Sequence, residues 1–290
     1  MKKNLKLVVL VLMIFYFGSS QVFAGDVLKF VIMVSDDPAQ EAHKYAFLAD
    51  YIKTNVSGID DIKLETAQDY PMAVDMFKSG AVDGMFAGSF VAAVFIKKGY
   101  AVPVVRPVSN EGVSTYKAIV VARTGTPVFN GLSDLKNKNV AYCALASSGE
   151  VFVRGLTEGE NPNKFLTPQI TSNHISAIRA VINQRADYAI VKNLTYKNGN
   201  EFPGTVQVGE DSAENPNNTM ILTKKTYEKY GKSIEEALTQ LETQSSPTAQ
   251  NLKESFKAKG FIKTTEQDFE HTFALMEKAK VNPLTFNFDW

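Results

Sequence analysis

The chain has 290 residues, which suffices for one large domain or two moderate ones, each with a hydrophobic core of its own. Lys plus Arg and Asp plus Glu both number 31, so the formal net charge is zero, which disfavours nucleic acid as the main partner. Hydrophobic residues make up 44% and charged residues 21%, as is typical of a folded globular protein, and the single cysteine, Cys143, excludes an internal disulfide.

The first 24 residues have the pattern of a secretory signal peptide. A basic start, "MKKNLK", precedes the apolar run "LVVLVLMIFYF", and "SSQVFA" ends in small residues at the positions read by a signal peptidase. The apolar run is short for a membrane span. We therefore expect cleavage after Ala24 and an exported, soluble mature protein; an uncleaved N-terminal anchor is the alternative.

Short apolar runs alternate with amphipathic stretches in the first part of the mature chain. The predicted strands and helices, in order, are VLKFVIMV, AQEAHKYAFLADYIKTNV, IKLETA, YPMAVDMFKSG, VDGMFAG, SFVAAVFIKKG and AVPVVRPV. Strands that alternate with helices predict βαβ units and a largely parallel sheet.

The middle of the chain repeats this alternation, and the last part changes character. The middle elements are TYKAIVVA, SDLKNK, NVAYCA, GEVFVRGLTE, FLTPQIT, ISAIRAVINQR and DYAIV. From Lys224 onward the pattern is mostly helical. The sequence therefore predicts two α/β lobes followed by a helical tail.

Two segments have the character of connections between the lobes. They are "EGVSTYKAIVVA" and the Asn-rich "VQVGEDSAENPNNTMILT". We expect residues 25–115 and 217–290 to form one lobe and residues 116–216 the other, with a hinge between them. A cleft between hinged lobes is a common place for small ligands.

Several blocks of sequence, in order, resemble the phosphonate-, phosphite- and phosphate-binding proteins of bacterial ABC transporters. The blocks are "QDYPMAVDMFKSGAVDGMFAGSFVAAV", "YKAIVVARTGTPVFNGLSDLKNKNVAYCALASSGE", "NHISAIRAVINQRADYAIV" and "GFIKTTEQDFE". They span nearly the whole mature chain.

This resemblance implies an α/β fold of two doubly wound lobes joined by a two-strand hinge, the type II periplasmic binding protein. It implies a monomeric periplasmic protein, without a cofactor, that captures a small oxyanion and delivers it to an inner-membrane permease. Two alternatives remain at this point. The chain could serve as the binding module of a membrane sensor, or its pocket could have changed to accept a non-phosphorus organic anion.

The serine-rich turn after "NVAYCA" is the first predicted ligand-binding feature. In the resembling proteins this turn holds the oxyanion, and here Ser147, Ser148 and Gly149 would supply hydroxyls and a close backbone approach at a helix start. The alternative is that a serine only caps the helix. The first serine of the motif is Ala146 in this chain, and Glu150 would place a carboxylate in the first helical turn.

Further candidate residues stand at other junctions between strands and helices. The resemblance assigns Tyr70 to the ligand or to the core, and Ser89 to the expected cleft. His174 could bind the ligand or cap a helix, and Asn193, just after a strand, can reach the cleft. Ala92 stands where the family often carries a second tyrosine.

Motifs of several enzyme classes are absent from the sequence. It contains no Gly-rich loop ending in Lys-Ser or Lys-Thr, no zinc-like spacing among its three histidines and one cysteine, and no Gly-x-Ser-x-Gly elbow. We therefore predict a binding protein that is not an enzyme and holds no metal.

Overall fold

A computed structural model describes residues 25–33, 38–143, 147–196 and 201–288 of the chain. The helices are α1 (Pro38–Asn55), α2 (Tyr70–Lys78), α3 (Ser89–Lys97), α4 (Leu132–Leu135), α5 (Ser148–Leu156), α6 (His174–Ile182), α7 (Lys224–Thr226), α8 (Lys232–Thr239), α9 (Pro247–Phe256) and α10 (Glu270–Lys278). The strands are β1 (Asp26–Met33), β2 (Ile59–Ala67), β3 (Gly84–Ala87), β4 (Ala101–Ser109), β5 (Thr115–Tyr116), β6 (Ala118–Arg123), β7 (Asn139–Cys143), β8 (Thr167–Thr171), β9 (Tyr188–Lys192), β10 (Thr205–Glu210), β11 (Asn215–Pro216), β12 (Thr219–Thr223) and β13 (Ala258–Lys263). The predicted signal peptide lies outside the described residues.

The first sheet has six strands in the order β13-β4-β12-β3-β1-β2. β1 pairs in parallel with β2 and β3, as βαβ units require, whereas β12 is antiparallel to β3 and β4, and β13 is antiparallel to β4. Helices cover both faces: α2, α3 and α10 pack on one face, and α1, α8 and α9 on the other. We call this sheet and its helices the first lobe.

The second sheet has five strands in the order β10-β6-β9-β7-β8. β7 is parallel to β8 and β9, while β6 is antiparallel to β9 and β10 to β6. α5 packs on one face and α6 on the other. We call this sheet and its helices the second lobe.

Both sheets are therefore mixed rather than largely parallel. The βαβ pattern was predicted correctly for β1 to β3 and for β7 to β9, but β12 and β13 in the first sheet and β6 and β10 in the second add antiparallel pairs. The α/β class with two doubly wound lobes is confirmed.

A two-stranded sheet lies between the lobes. β5 and β11 pair antiparallel, with Tyr116 opposite Asn215 and Thr115 opposite Pro216. β5 leads from the first sheet into the second, and β11 leads back. The predicted crossover segments therefore form a hinge of two hydrogen-bonded strands.

The prediction of a helical tail from Lys224 onward was wrong in one place. β13 interrupts the helices and forms the edge of the first sheet beside β4. α9 ends at Phe256, and the next residue, Lys257, has φ = 49° in the left-handed region, which turns the chain into the strand. Among the residues described, none of the helices combines the length and apolarity needed to cross a bilayer.

Candidate ligand-binding site

The predicted site residues stand at the carboxyl ends of strands. Ser89 begins α3 after β3, Ser147 lies between β7 and α5, His174 begins α6 after β8, and Asn193 follows β9 directly. In open α/β sheets, ligands bind in the crevice outside the carboxyl ends of the strands. Their common position makes these residues candidates for one ligand-binding site.

Ser89 connects the first lobe to the hinge. Its side chain is only 2% exposed, and its hydroxyl is hydrogen-bonded to the hydroxyl of Tyr116 on β5. Gly88 occupies the N-cap position of α3 and offers no side chain to the first N–H groups of that helix. A Cβ on Gly88 would lie 4.0 Å from Asn218 Oδ1, so the start of α3 also adjoins the segment that returns from the hinge.

Lys192, the last residue of β9, lies at the same junction. Its ammonium group donates to Asn218 Oδ1 (3.2 Å) and Asn217 Oδ1 (3.5 Å) and stands 4.1 Å from the centre of the Tyr116 ring. Burial lowers the pKa of Lys192 to about 8, and the nearby Cys143 thiol acts in the opposite direction. The ammonium group therefore keeps its charge at neutral pH.

Sequence reasoning did not single out Lys192. A signal was present: in "DYAIVK" the residues Tyr188 to Val191 are buried strand, and a cation follows at the carboxyl end. Tyr116 and Asn218 were missed as well, because only the paired hinge strands bring them to this place.

His174 lies beside Lys192. Its Nδ1 atom is 3.5 Å from Cys143 Sγ. Burial, and to a smaller extent the positive charge of Lys192, lowers the pKa of His174 to about 4, so the imidazole is neutral at neutral pH. The capping role considered for His174 belongs to Asn173, whose Oδ1 accepts from the Ser176 N–H (2.8 Å).

Ser147 acts as the N-cap of α5 in this structure. Its Oγ accepts from the Glu150 N–H (3.2 Å) and donates to the Cys143 carbonyl. The Glu150 carboxylate accepts from Arg154 Nη2 (3.2 Å) and Nε (3.3 Å), which offsets the negative charge expected in the first turn. The side chain of Ser148 and all of Ala146 lie outside the described residues.

Gly149 is required by packing. A Cβ at this position would lie 2.6 Å from the Ile190 carbonyl oxygen and 3.1 Å from Tyr142 Cβ. α5 therefore lies directly against β9 and β7, and a side chain at position 149 would displace it.

Asn193 contributes to the hinge through its backbone and its side chain. Its N–H donates to the Lys117 carbonyl (3.0 Å), and its Oδ1 accepts from the Lys117 N–H (3.1 Å). These bonds hold the end of β9 next to the chain as it leaves β5.

Tyr70 and Ala92 pack within the first lobe. The half-buried Tyr70 ring lies 5.2 Å from the Phe288 ring near the C-terminus, and burial raises the pKa of its phenol. Ala92 is fully buried in the hydrophobic cluster on the α3 side of the first sheet. The missing tyrosine at position 92 therefore changes the core of this helix rather than the residues around Lys192.

Five side chains thus lie at one junction: Ser89, Tyr116, Lys192, His174 and Ser147. Ser147 is linked to the others by its hydrogen bond to Cys143, which lies against His174. Chemically this junction offers one ammonium group, one neutral imidazole, three hydroxyl groups and the starts of three helices, α3, α5 and α6. Such a set can hold an anion. Within the part of the chain that the structure describes, no group of three or more His, Cys, Asp or Glu residues is arranged to hold a metal ion.

Several solved structures share this fold. XAC2383 from Xanthomonas citri bound to chloride ion is 17% identical, with a TM-score of 0.72 over 88% of this chain and 97% of that chain. PhnD1 from Prochlorococcus marinus in complex with methylphosphonate is 13% identical, with a TM-score of 0.67 over 88% and 98%. A binding protein component of an ABC phosphonate transporter from Pseudomonas aeruginosa is 14% identical, with a TM-score of 0.66 over 88% and 87%.

None of the curated proteins compared with the chain matches its sequence. A family model does match, over residues 30–269, and it describes the phosphonate periplasmic substrate-binding protein of ABC transporters. The match runs from β1 to the start of α10 and includes both sheets and the hinge. The chain therefore belongs to the family of phosphonate-binding periplasmic substrate-binding proteins of ABC transporters.

Proposed function

We propose that this protein captures a small phosphorus oxyanion, such as a phosphonate, between its two lobes and delivers it to a membrane permease. The observation that carries the proposal is the position of Lys192. Its ammonium group lies where the hinge, the end of β9 and the start of α3 meet. Family membership supports the same ligand class.

The surrounding groups suit an oxyanion. Lys192 supplies a formal positive charge, and the neutral His174 can donate one hydrogen bond. The starts of α3 and α6 direct backbone N–H groups and the positive ends of the helix dipoles toward the carboxyl edges of the sheets. The Ser147 hydroxyl donates to the Cys143 carbonyl in this structure, and it would donate to a ligand oxygen instead when the ligand is bound.

Calorimetry of the exported protein, purified from the periplasm, tests this proposal. Phosphate, phosphite and methylphosphonate are titrated separately, with sulfate and chloride as control anions. We expect saturable heat with at least one phosphorus oxyanion and at least tenfold weaker binding of both controls. A folded protein that gives no heat with any of the three phosphorus compounds contradicts the proposal.

The organisation of the exported protein forms part of the same proposal. We infer cleavage after Ala24, a monomer without a nucleic-acid partner or catalytic activity, and lobes formed by residues 25–115 with 217–290 and by residues 116–216. Sheet membership supports this division, since β1 to β4, β12 and β13 share one sheet and β6 to β10 the other. A native mass spectrum gives the start of the chain and its oligomeric state; a dimer or an uncleaved chain would contradict these inferences.

A further inference from the structure

Lys192 differs from two arginines whose side chains are also largely covered by the protein, Arg106 and Arg154. Arg106 is 3.0 Å from Asp268, and Arg154 is 3.2 Å from Glu150, so each guanidinium group has a carboxylate partner. Lys192 has amide oxygens and an aromatic ring as its partners. Within the described ranges, no carboxylate lies within ion-pair distance of its ammonium group.

The titratable groups that face Lys192 do not neutralise it. In the described part of the chain they are the Cys143 thiol at the end of β7, the His174 imidazole at the start of α6 and the Tyr116 ring of β5. The imidazole is neutral at neutral pH, and Lys192 carries the positive charge of this group of residues. A cation that is partly withdrawn from water and has only neutral partners is best compensated by an anion.

Two buried carboxylates of the second lobe already have basic partners. Glu150 on α5 is paired with Arg154, and Asp211 after β10 is hydrogen-bonded to His271 Nε2 at 2.8 Å. They are 4% exposed each. Neither carboxylate is therefore available to compensate a ligand amino group.

We propose that Lys192 sets the ligand specificity of this protein, which accepts phosphonates with a neutral or anionic substituent and rejects those with an amino group. This inference rests on the proposed function, because it concerns the same cleft. The physical reason is the repulsion between two ammonium groups a few ångströms apart in a site of reduced dielectric constant. A carboxylate on the substituent would be attracted by the same charge.

The test compares three phosphonates: methylphosphonate with an uncharged substituent, phosphonoacetate with an anionic one and 2-aminoethylphosphonate with an amino group. For the wild-type protein we expect phosphonoacetate to bind at least as tightly as methylphosphonate, and 2-aminoethylphosphonate at least about tenfold more weakly. In Lys192→Gln both methylphosphonate and 2-aminoethylphosphonate should bind more weakly than to the wild type, because a charge that attracts the phosphonate group is lost, but their affinities should agree within about threefold. In Lys192→Glu the amino compound should bind more tightly than methylphosphonate.

Two controls separate the effect of the Lys192 charge on ligand preference from effects of losing any lysine and from misfolding. Lys232→Gln removes a lysine whose side chain is 89% exposed on α8, and its ligand preferences should equal those of the wild type. Circular dichroism and thermal melting establish that both Lys192 variants are folded.

The outcomes distinguish the inference from the function on which it rests. Wild-type protein that binds the amino compound as tightly as methylphosphonate overturns the role of Lys192. A tenfold preference that persists in Lys192→Gln overturns it as well. Failure of all three ligands to bind folded wild-type protein instead overturns the proposed function, and the inference with it.

Discussion

At the scale of single residues, His174 occupies an environment that disfavours its protonated form. The imidazole lies against Cys143 and next to the charge of Lys192, and these surroundings lower its pKa from 6.5 to about 4. A neutral imidazole can donate one hydrogen bond and accept another, whereas an imidazolium beside Lys192 would add a second positive charge. This environment therefore links the protonation of one side chain to the stability of the second lobe.

The sign of this linkage follows from the direction of the shift. Between about pH 6.5 and 4 the unfolded chain binds a proton at His174 and the folded chain does not, so stability falls as the pH is lowered through this window. The loss from this residue amounts to at most about 3 kcal/mol. We expect urea unfolding at pH 6.5 and 4.5 to show a smaller loss in His174→Gln than in the wild type.

The matched control for this prediction is His43→Gln, because His43 is exposed on α1 and packs against Phe47. Its acid loss of stability should stay within about 0.5 kcal/mol of that of the wild type. Direct titration of the His174 ring by NMR gives an independent reading. A midpoint above pH 6 would contradict the assigned environment.

Local sequence predicted the positions of some site residues and not of others. Ser89, Ser147 and His174 were located correctly at ends of strands, because local sequence determines where a strand stops and a helix begins. For Gly149 the structure adds a packing reason, the close approach to Ile190 of β9, which sequence alone does not reveal; its role at the ligand stays a prediction. Lys192 was missed because its partners, Asn217 and Asn218, are distant in sequence and reach it only through the hinge.

At the scale of elements, α10 connects parts of the molecule that the sequence separates. Leu275 and Met276 belong to the hydrophobic cluster of the first lobe, which also includes Val151 from α5 of the second lobe. One turn earlier on the same face of α10, Thr272 Oγ1 donates to Asn215 Oδ1 of β11 at 2.7 Å. α10 therefore holds the hinge and contacts both lobes.

The bond between Thr272 and Asn215 is buried, and it can be removed with little change in shape. Thr272 and Asn215 are each 2% exposed. Thr272→Val leaves the amide of Asn215 without this partner in a place that water does not reach, so we expect a loss of about 1–3 kcal/mol in the free energy of unfolding. Thr272→Ser keeps the hydroxyl and should recover part of this loss. Denaturant unfolding measures both variants, and a Thr272→Val protein as stable as wild type would show that the bond contributes nothing.

The helices and strands of the first lobe show which parts of the fold could be predicted from the sequence and which could not. The alternation of β1 to β4 with α1 to α3 was predicted correctly, because each strand is a short apolar run bounded by turn residues. β13 was missed within the mostly helical pattern that was predicted from Lys224 onward. Its strand conformation depends on pairing with β4, which lies far away in sequence.

At the scale of the whole molecule, two sheets are joined by two crossing segments and by the packing of α10. The first sheet receives strands from both ends of the described chain, and the second sheet is built from the middle. Opening and closing of such an arrangement requires changes mainly at β5 and β11. A ligand held near Lys192 would contact groups from both lobes and from the hinge, so it would stabilise their closed arrangement.

This linkage predicts how the ligand changes the thermal unfolding of the protein. A ligand at 100 times its dissociation constant adds about 2.7 kcal/mol to the free energy of unfolding, if it binds only the folded state. For a chain of this size, that corresponds to an increase in the melting temperature of roughly 5–10 °C. Differential scanning calorimetry with methylphosphonate, against an equal ionic strength of sodium chloride, measures the increase. Because the bound anion would contact both lobes, the whole heat-capacity peak should move together; a second peak left at the ligand-free temperature would mean that the anion binds to one lobe alone.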